Sequence, residues 1–177
     1  LWILEHGQPK SRRLVKKYYQ ETIRNAHKNI TIVTPYFAPQ RWLIGVLHQA
    51  MLRDVAVDIL LPEYTDLWHM NRVNYFYMHR LRTLGAVIYL SPDMNHAKAM
   101  LIDDTEGMVG SQNIDPISFQ YNLEAGVFFR EEAMVKNLKN IIEEWKSKSF
   151  IFDPVTKKPK WFDYALSPVI RIFQRIT

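Results

Sequence analysis

The residues best spaced for chemistry lie between His96 and Asn113, in the stretch HAKAMLIDDTEGMVGSQN. His96 and Lys98 stand two positions apart. On an extended strand such residues face the same way, which sets an imidazole beside an ammonium. The apolar run through Ala97, Met100, Leu101 and Ile102 reads as a buried strand, and Gly107 to Gly110 as a turn and a short returning strand. Gly110 is expected to let the backbone come close to a bound group, with Ser111 and Asn113 alternating onto one face beyond it. A nucleophile or base, a fixed cation, a hydroxyl and an amide together suit attack on a phosphate diester. A lysine in so apolar a strand is costly to bury without an anion or a partner, which weighs against a purely structural strand. Asp103 has the opposite parity to His96. It is therefore expected to point away from the imidazole and to hold the following turn by hydrogen bonds.

Such a group needs a sheet to carry it, and the flanking sequence supplies one. Leu1 to Ser11 is a short apolar start, the end of a strand, turning polar. Arg12 to Lys28 reads as a basic helix with Leu14, Tyr18 (or Tyr19), Ile23 and Ala26 on its apolar face. Asn29 to Phe37 is β-branched and aromatic, a strand that stops at Pro35. Pro39 to Arg53 has Leu43, Val46, Leu47, Ala50 and Met51 at helical spacing. Val55 to Leu61 is a second buried strand. Asp66 is placed to cap a long helix through Leu84, with Gly85 as its stop. Ala86 to Leu90 and Leu123 to Phe129 are the strands on either side of the motif. Glu131 to Lys148 is a helix with Met134, Leu138, Ile141, Ile142 and Trp145 turned inward. Strand-helix-strand-helix-strand predicts an α/β domain with a mixed sheet and helices on both faces.

The 177 residues suffice for one domain, expected over 1–152, followed by a tail over 153–177. Apolar content is 47% and charged content 23%, the balance of an ordinary globular protein. The net charge of +5 favours anionic partners. There are no cysteines, which excludes disulfides, thiolate zinc sites and cysteine nucleophiles and fits a reducing compartment. No histidine pair has HExxH spacing, so neither a metal nor a cofactor is expected. No run of about 18 apolar residues is present. The chain starts at Leu1 rather than Met and is expected to be a piece of a longer polypeptide.

The central stretch matches HxKxxxxDxxxxxxGSxN at every specified position and so resembles the phospholipase D superfamily. TPYFAP, LLPEYTD, LGAVIYL and GSQNIDPIS extend the likeness from about Ile23 to Trp145. In these phrases the chain resembles the C-terminal catalytic half of bacterial cardiolipin synthases. Two departures stand out. Met94 and Asn95 precede His96 where an aromatic or small residue is expected, and Asp104 doubles the motif acid, adding negative charge close to the site.

The resemblance implies one lobe of a phospholipase D-like fold and metal-independent catalysis through a phosphohistidine. His96 would attack phosphorus or serve as the acid, and a second HxK lobe, upstream or in an identical subunit, would supply the other histidine. Lys98 would hold a non-bridging oxygen, Asn113 would donate its amide to the same group, and Ser111 would join that cradle. Glu124 stands where the family places the acid that holds the other imidazole nitrogen, on a strand that Leu123, Ala125 and Val127 mark as buried. The reaction implied is phosphatidyl transfer or hydrolysis, most specifically cardiolipin synthesis from phosphatidylglycerol. The expected place is the cytoplasmic face of a bacterial inner membrane, as a peripheral protein on an anionic surface.

Tyr36 and Arg41 after the first strand, and Tyr64 and His69 after the second, are expected at the substrate rim, because crevices in open α/β sheets lie beyond strand ends. His6, His27, His48 and His79 have ordinary solvated or helical settings. Two other functions compete: a single-motif phosphodiesterase acting on nucleic acid as a homodimer, and a non-catalytic partner lobe. The tail favours lipid. Lys157, Lys158 and Lys160 precede Trp161, Phe162 and Tyr164. Val169, Ile172, Phe173 and Ile176 then form one stripe of a short helix, suited to a membrane surface or to packing on the protein.

Overall fold

The computed structural model describes residues 1–7 and 9–155. Its strands are β1 (Trp2–His6), β2 (Asn29–Val33), β3 (Ala56–Pro62), β4 (Val87–Ser91), β5 (Ala99–Ile102), β6 (Glu106–Gly110), β7 (Glu124–Phe129) and β8 (Phe150–Ile151). Its helices are α1 (Pro9–Arg24), α2 (Arg41–Met51), α3 (Trp68–Thr83), α4 (Pro116–Gln120) and α5 (Glu132–Ser147). The strands form one mixed sheet in the order β1-β7-β6-β5-β2-β3-β4-β8. β2, β3 and β4 run parallel, which requires the crossovers that α2 and α3 provide. β5, β6, β7 and β1 extend the sheet antiparallel on one side, and β8 adds antiparallel to β4 on the other.

Period-two burial divides the apolar residues between the two faces. Ile30, Ile32, Ile59, Leu61, Met100 and Ile102 join the helical residues Tyr19, Leu47 and Tyr77 in the larger core. Val33, Leu60, Leu101 and Phe129 pack with Val135, Leu138 and Ile142 of α5 in the smaller one. The predicted α/β class, with helices on both faces, is therefore what the chain adopts. α5 is also fixed by charge: Lys146 Nζ donates to Asp58 on β3 at 2.7 Å and lies 5.2 Å from the Tyr89 ring centroid.

Several local expectations shift. On α1 the buried residues are Val15, Tyr19 and Ile23, with Ala26 buried just beyond it, while Leu14 is exposed, because the helix turns a neighbouring row of side chains to the sheet. Ile141 on α5 is exposed for the same reason. Asp66 does not cap α3. The N-cap is Leu67, which makes no side-chain cap bond, whereas Gly85 does stop the helix, at φ +110. The predicted turn at Gly107 lies earlier. Asp103 (φ 53) and Asp104 (φ 58) occupy the left-handed region, and Thr105 N–H donates to the Ile102 carbonyl at 2.9 Å, a type I′ hairpin turn. The tail from Lys157 lies outside the described residues.

Asp103 points away from His96, yet its partners are not in the turn. Its carboxylate accepts the backbone N–H groups of His27 (2.8 Å), Lys28 (2.7 Å) and Asn29 (3.1 Å), and so pins the segment between α1 and β2. Partial burial alone would raise its pKa. The three N–H donors outweigh that and hold it below the usual carboxylate range. Asp103→Asn is expected to destabilise the fold by roughly 1–3 kcal/mol, from lost charge-assisted hydrogen bonds. A depressed pKa contributes stability above the unfolded value and loses it as pH falls through the folded one. The variant's deficit should therefore be present at neutral pH and shrink in acid, as read from urea midpoints across pH.

Candidate functional site

β5 begins at Ala99, so His96 and Lys98 occupy the extended lead-in to it, at the end of the sheet where β2, β3 and β4 also finish. Lys98 is held there by backbone on both sides. Gly110 N–H donates to its carbonyl at 3.0 Å, and its own Nζ donates to the His96 carbonyl at 2.7 Å. The same Nζ lies 2.8 Å from His96 Nδ1 and 3.3 Å from Nε2. The lysine is 8% exposed while the imidazole is exposed, so a buried cation backs an accessible ring. Burial pulls the Lys98 pKa below its usual value, and the carboxylates of Glu124, Asp115 and Asp66 partly oppose that. A lone buried ammonium facing carboxylates and an open imidazole is suited to receive an anion from solvent.

The wall beside His96 is built by the loop after β2. The Tyr36 ring meets the imidazole edge-on, with centroids 5.8 Å apart, and its hydroxyl donates to Asp66 at 2.6 Å. Burial, that hydrogen bond and the charges of Asp66 and Asp115 push the phenol up to about 12, so it stays a neutral donor. Asn74 of α3 grips the loop on both sides of Tyr36: its Nδ2 donates to the Pro35 carbonyl and its Oδ1 accepts Phe37 N–H, each at 2.8 Å. Thr34 Oγ1 donates to the Tyr36 carbonyl at 3.0 Å and accepts Ile114 N–H at 3.4 Å, joining this loop to the one that carries Asn113.

Sequence reasoning missed Asn74 and Asp66 as positioning groups, although one signal for Asn74 was present. It shares the apolar stripe of Tyr77, Met78 and Leu81, where a buried amide must have partners. Asn74→Ala is expected to cost roughly 2–4 kcal/mol, because Phe37 N–H and the Pro35 carbonyl are left unpaired in the interior. Asn74→Asp, which keeps the acceptor, should recover part of that in urea denaturation.

The second arm of the site is less uniform than predicted. Ser111 and Asn113 have different partners. The Ser111 hydroxyl donates to Glu124 Oε2 and accepts Ala125 N–H at 3.1 Å, whereas Asn113 Nδ2 reaches Ser118 Oγ at 3.5 Å. Among the described residues, Asn113 Oδ1 and the neighbouring Gln112 Nε2 are buried without a hydrogen-bond partner. Gly110 lets β6 and β7 approach closely, since a Cβ there would lie 2.5 Å from the Ala125 carbonyl oxygen.

Glu124 is 7% exposed and shares a face of β7 with the buried Phe128, while Leu123 and Ala125 are exposed. Its other oxygen accepts from Asn122 at 3.1 Å, and among the described residues it makes no hydrogen bond to His96. Asp115, also missed, caps α4 by accepting Ser118 N–H at 2.8 Å. Burial raises its carboxyl above the usual range against that donor. Asp-Pro followed by Ser is a cap signature legible in the sequence.

Of the four predicted rim residues, Tyr36 is the one in ring contact with His96. Arg41, Tyr64 and His69 are exposed, and His69 meets Trp68 edge-on. Asp104 lies in the turn beyond the far end of β5, whose last residue Ile102 is about 13 Å along the extended strand from Lys98, and pairs with Lys139 of α5 at 2.7 Å. Its charge is therefore not at the site. Among the described residues, no group of three or more His, Asp or Glu gathers as a metal would need.

The likenesses to known proteins agree with this architecture. The chain is 30% identical over 177 residues to the major cardiolipin synthase ClsA of Bacillus subtilis, covering 95% of this chain and 37% of the relative. Among solved structures, Nuc of Salmonella typhimurium, a phospholipase D family member, superposes with a TM-score of 0.69 at 18% identity. The match covers 85% of this chain and 97% of that one. Phosphatidylserine synthase of Haemophilus influenzae superposes at 0.72 and 16% identity, covering 96% of this chain and 45% of that one. The family profile described as "Cardiolipin synthase, PLD-like domain" matches residues 19–146. Carrying that domain over most of its length, the chain belongs to the PLD-like family of cardiolipin synthases.

Proposed function

We propose that this chain is one catalytic lobe of a phosphatidyltransferase that makes cardiolipin from phosphatidylglycerol, working beside a second HxK lobe. The observation that carries the reading is the exposed His96 imidazole backed by the buried Lys98 ammonium. One imidazole nitrogen attacks phosphorus. A P–N bond forms, the P–O bond to glycerol breaks, and the departing oxygen takes a proton from the second lobe's histidine. The acceptor hydroxyl then gives its proton back to that histidine and attacks phosphorus, and the P–N bond breaks. Either lobe's imidazole can be the nucleophile. Lys98 and the Asn113 amide stabilise charge on the non-bridging oxygens, with Ser111 in the same cradle. The orienting role expected for Glu124 requires its carboxylate to trade Ser111 for an imidazole once the site is complete. Tyr36, Arg41, Tyr64 and His69 form the rim.

The described residues contain no helix long and apolar enough to cross a membrane, and the proposed location is peripheral, at the cytoplasmic face of the inner membrane. The test is an assay of the polypeptide carrying both lobes, with labelled phosphatidylglycerol in one arm and a nucleic-acid diester in the other. Cardiolipin should form, and EDTA should leave the rate within about twofold, because Lys98 already supplies the fixed charge a metal would bring. Cleavage of the nucleic acid alone would replace this reading with a phosphodiesterase. Turnover of neither would make the chain a non-catalytic lobe. A rate lost to EDTA and restored by a metal would overturn the metal-free mechanism.

A further inference from the structure

We infer that the loops after β3 and β4 form an apolar rim that dips into the bilayer and seats the site at headgroup depth, an inference that rests on the phospholipid reading above. The two loops leave the sheet side by side: Pro62 pairs with Ser91, and Glu63 N–H donates to the Ser91 carbonyl at 2.8 Å. The first carries Tyr64 and Leu67 and leads into Trp68, the first residue of α3, exposed by 67, 38 and 76%, and the second carries Met94, exposed by 41%, two residues before His96. Between them Asp66 holds the hydroxyl of Tyr36, whose ring meets His96. One side of this rim thus walls the imidazole while the other offers large apolar side chains to solvent.

That exposure is built rather than frayed. Asn71 Oδ1 accepts Thr65 N–H at 2.6 Å, Thr65 Oγ1 donates to the Leu67 carbonyl at 3.0 Å, and Met70 N–H donates to the same carbonyl at 2.8 Å. A lipid bilayer is the occupant that fits. Trp and Tyr, each with an apolar body and a polar tip, suit the headgroup level, and the phosphorus of a bilayer phospholipid lies at that depth, where an exposed imidazole must meet it. Apart from the buried Lys98, the charged residues of the two loops, Glu63, Asp66 and Asp93, are acidic. Attraction to a bilayer is therefore apolar here, and the apolar contribution of this rim does not weaken with added salt, unlike binding through clustered lysines.

The test compares the complete two-lobe polypeptide with its Trp68→Ala, Leu67→Ala and Trp68→Phe variants on phosphatidylglycerol presented in vesicles and as dispersed short-chain lipid. Trp68→Ala and Leu67→Ala are expected to lose about tenfold on vesicles and to stay within about twofold on dispersed lipid, with Trp68→Phe retaining most of both. Vesicle flotation should fall in parallel, equally at low and high salt. Undiminished turnover on vesicles, or the same loss on both substrates by a variant that still unfolds cooperatively, would overturn the inference. So would separation of the variant's two lobes after proteolytic cleavage of their linker, which would give the patch to a protein interface. Should the unaltered polypeptide turn over neither lipid, the transferase reading falls by itself. Flotation still decides the rim, and equal flotation of the unaltered protein and Trp68→Ala counts against it.

Discussion

Replacing His96 with alanine should lower turnover by about four orders of magnitude or more, as expected when a covalent nucleophile or its essential acid is removed. The fold should survive. The imidazole is exposed on the lead-in to β5, and the Lys98 ammonium keeps the backbone carbonyl of residue 96 as its acceptor after the substitution. The urea midpoint should move by no more than about 0.5–1 kcal/mol equivalent, so lost activity is not lost structure. Near-normal rates from purified His96→Ala protein would end the phosphohistidine reading.

Lys98→Ala and Asn113→Ala should each lower kcat by about 10²–10³ with smaller effects on KM, if both groups act, as proposed, on charge that develops at phosphorus. pH gives an independent check on Lys98. Only the ammonium form can hold the phosphoryl oxygen, and burial has lowered its pKa. The alkaline limb of kcat/KM should therefore fall off below the range of an ordinary lysine, as pH rises through the lowered pKa. Lys98→Arg should remove that limb, since a guanidinium stays charged.

The second large effect is the dependence on a partner lobe. A strictly monomeric sample of this chain should turn over phosphatidylglycerol at least about 10³-fold more slowly than the two-lobe polypeptide, because under the proposed mechanism it lacks the group that protonates the departing oxygen. A single HxK motif supplies one imidazole, and the two-step route needs a nucleophile and a separate acid. The chain spans 37% of the length of the Bacillus subtilis relative, which leaves room there for a second lobe. A two-fold pair of this chain would bring two copies of His96 together and serve the same purpose. Sedimentation at assay concentration separates the cases. Full turnover by a sample that sediments as a monomer would refute the requirement, and a rate rising with the square of concentration would assign the second imidazole to an identical subunit.

What the sequence determined by itself was whatever depends on short spacing. The x between His96 and Lys98 makes them neighbours in any extended segment, and the Asp-Pro-x-Ser pattern makes Asp115 a cap wherever α4 packs. The periods of two and 3.6 located most strands and the longer helices within a few residues, because side-chain direction is set by local backbone geometry. The tertiary structure decided where those directions lead. The Asp103 carboxylate finds its donors at His27, Lys28 and Asn29 because β5 inserts beside β2 in the sheet. Gly110 is needed by β7, and Glu124 turns to Ser111, because β6 and β7 are neighbours at that end. Asp66 serves Tyr36 rather than α3, and Asn74 grips the backbone around Tyr36, because α3 crosses beneath the loop that leaves β2. Each of these pairings joins residues far apart in sequence, and no periodicity reports which strand a given strand will lie against. Sheet order is set by burying two apolar faces at once, a property of the whole chain, and the polar contacts around His96 follow from it.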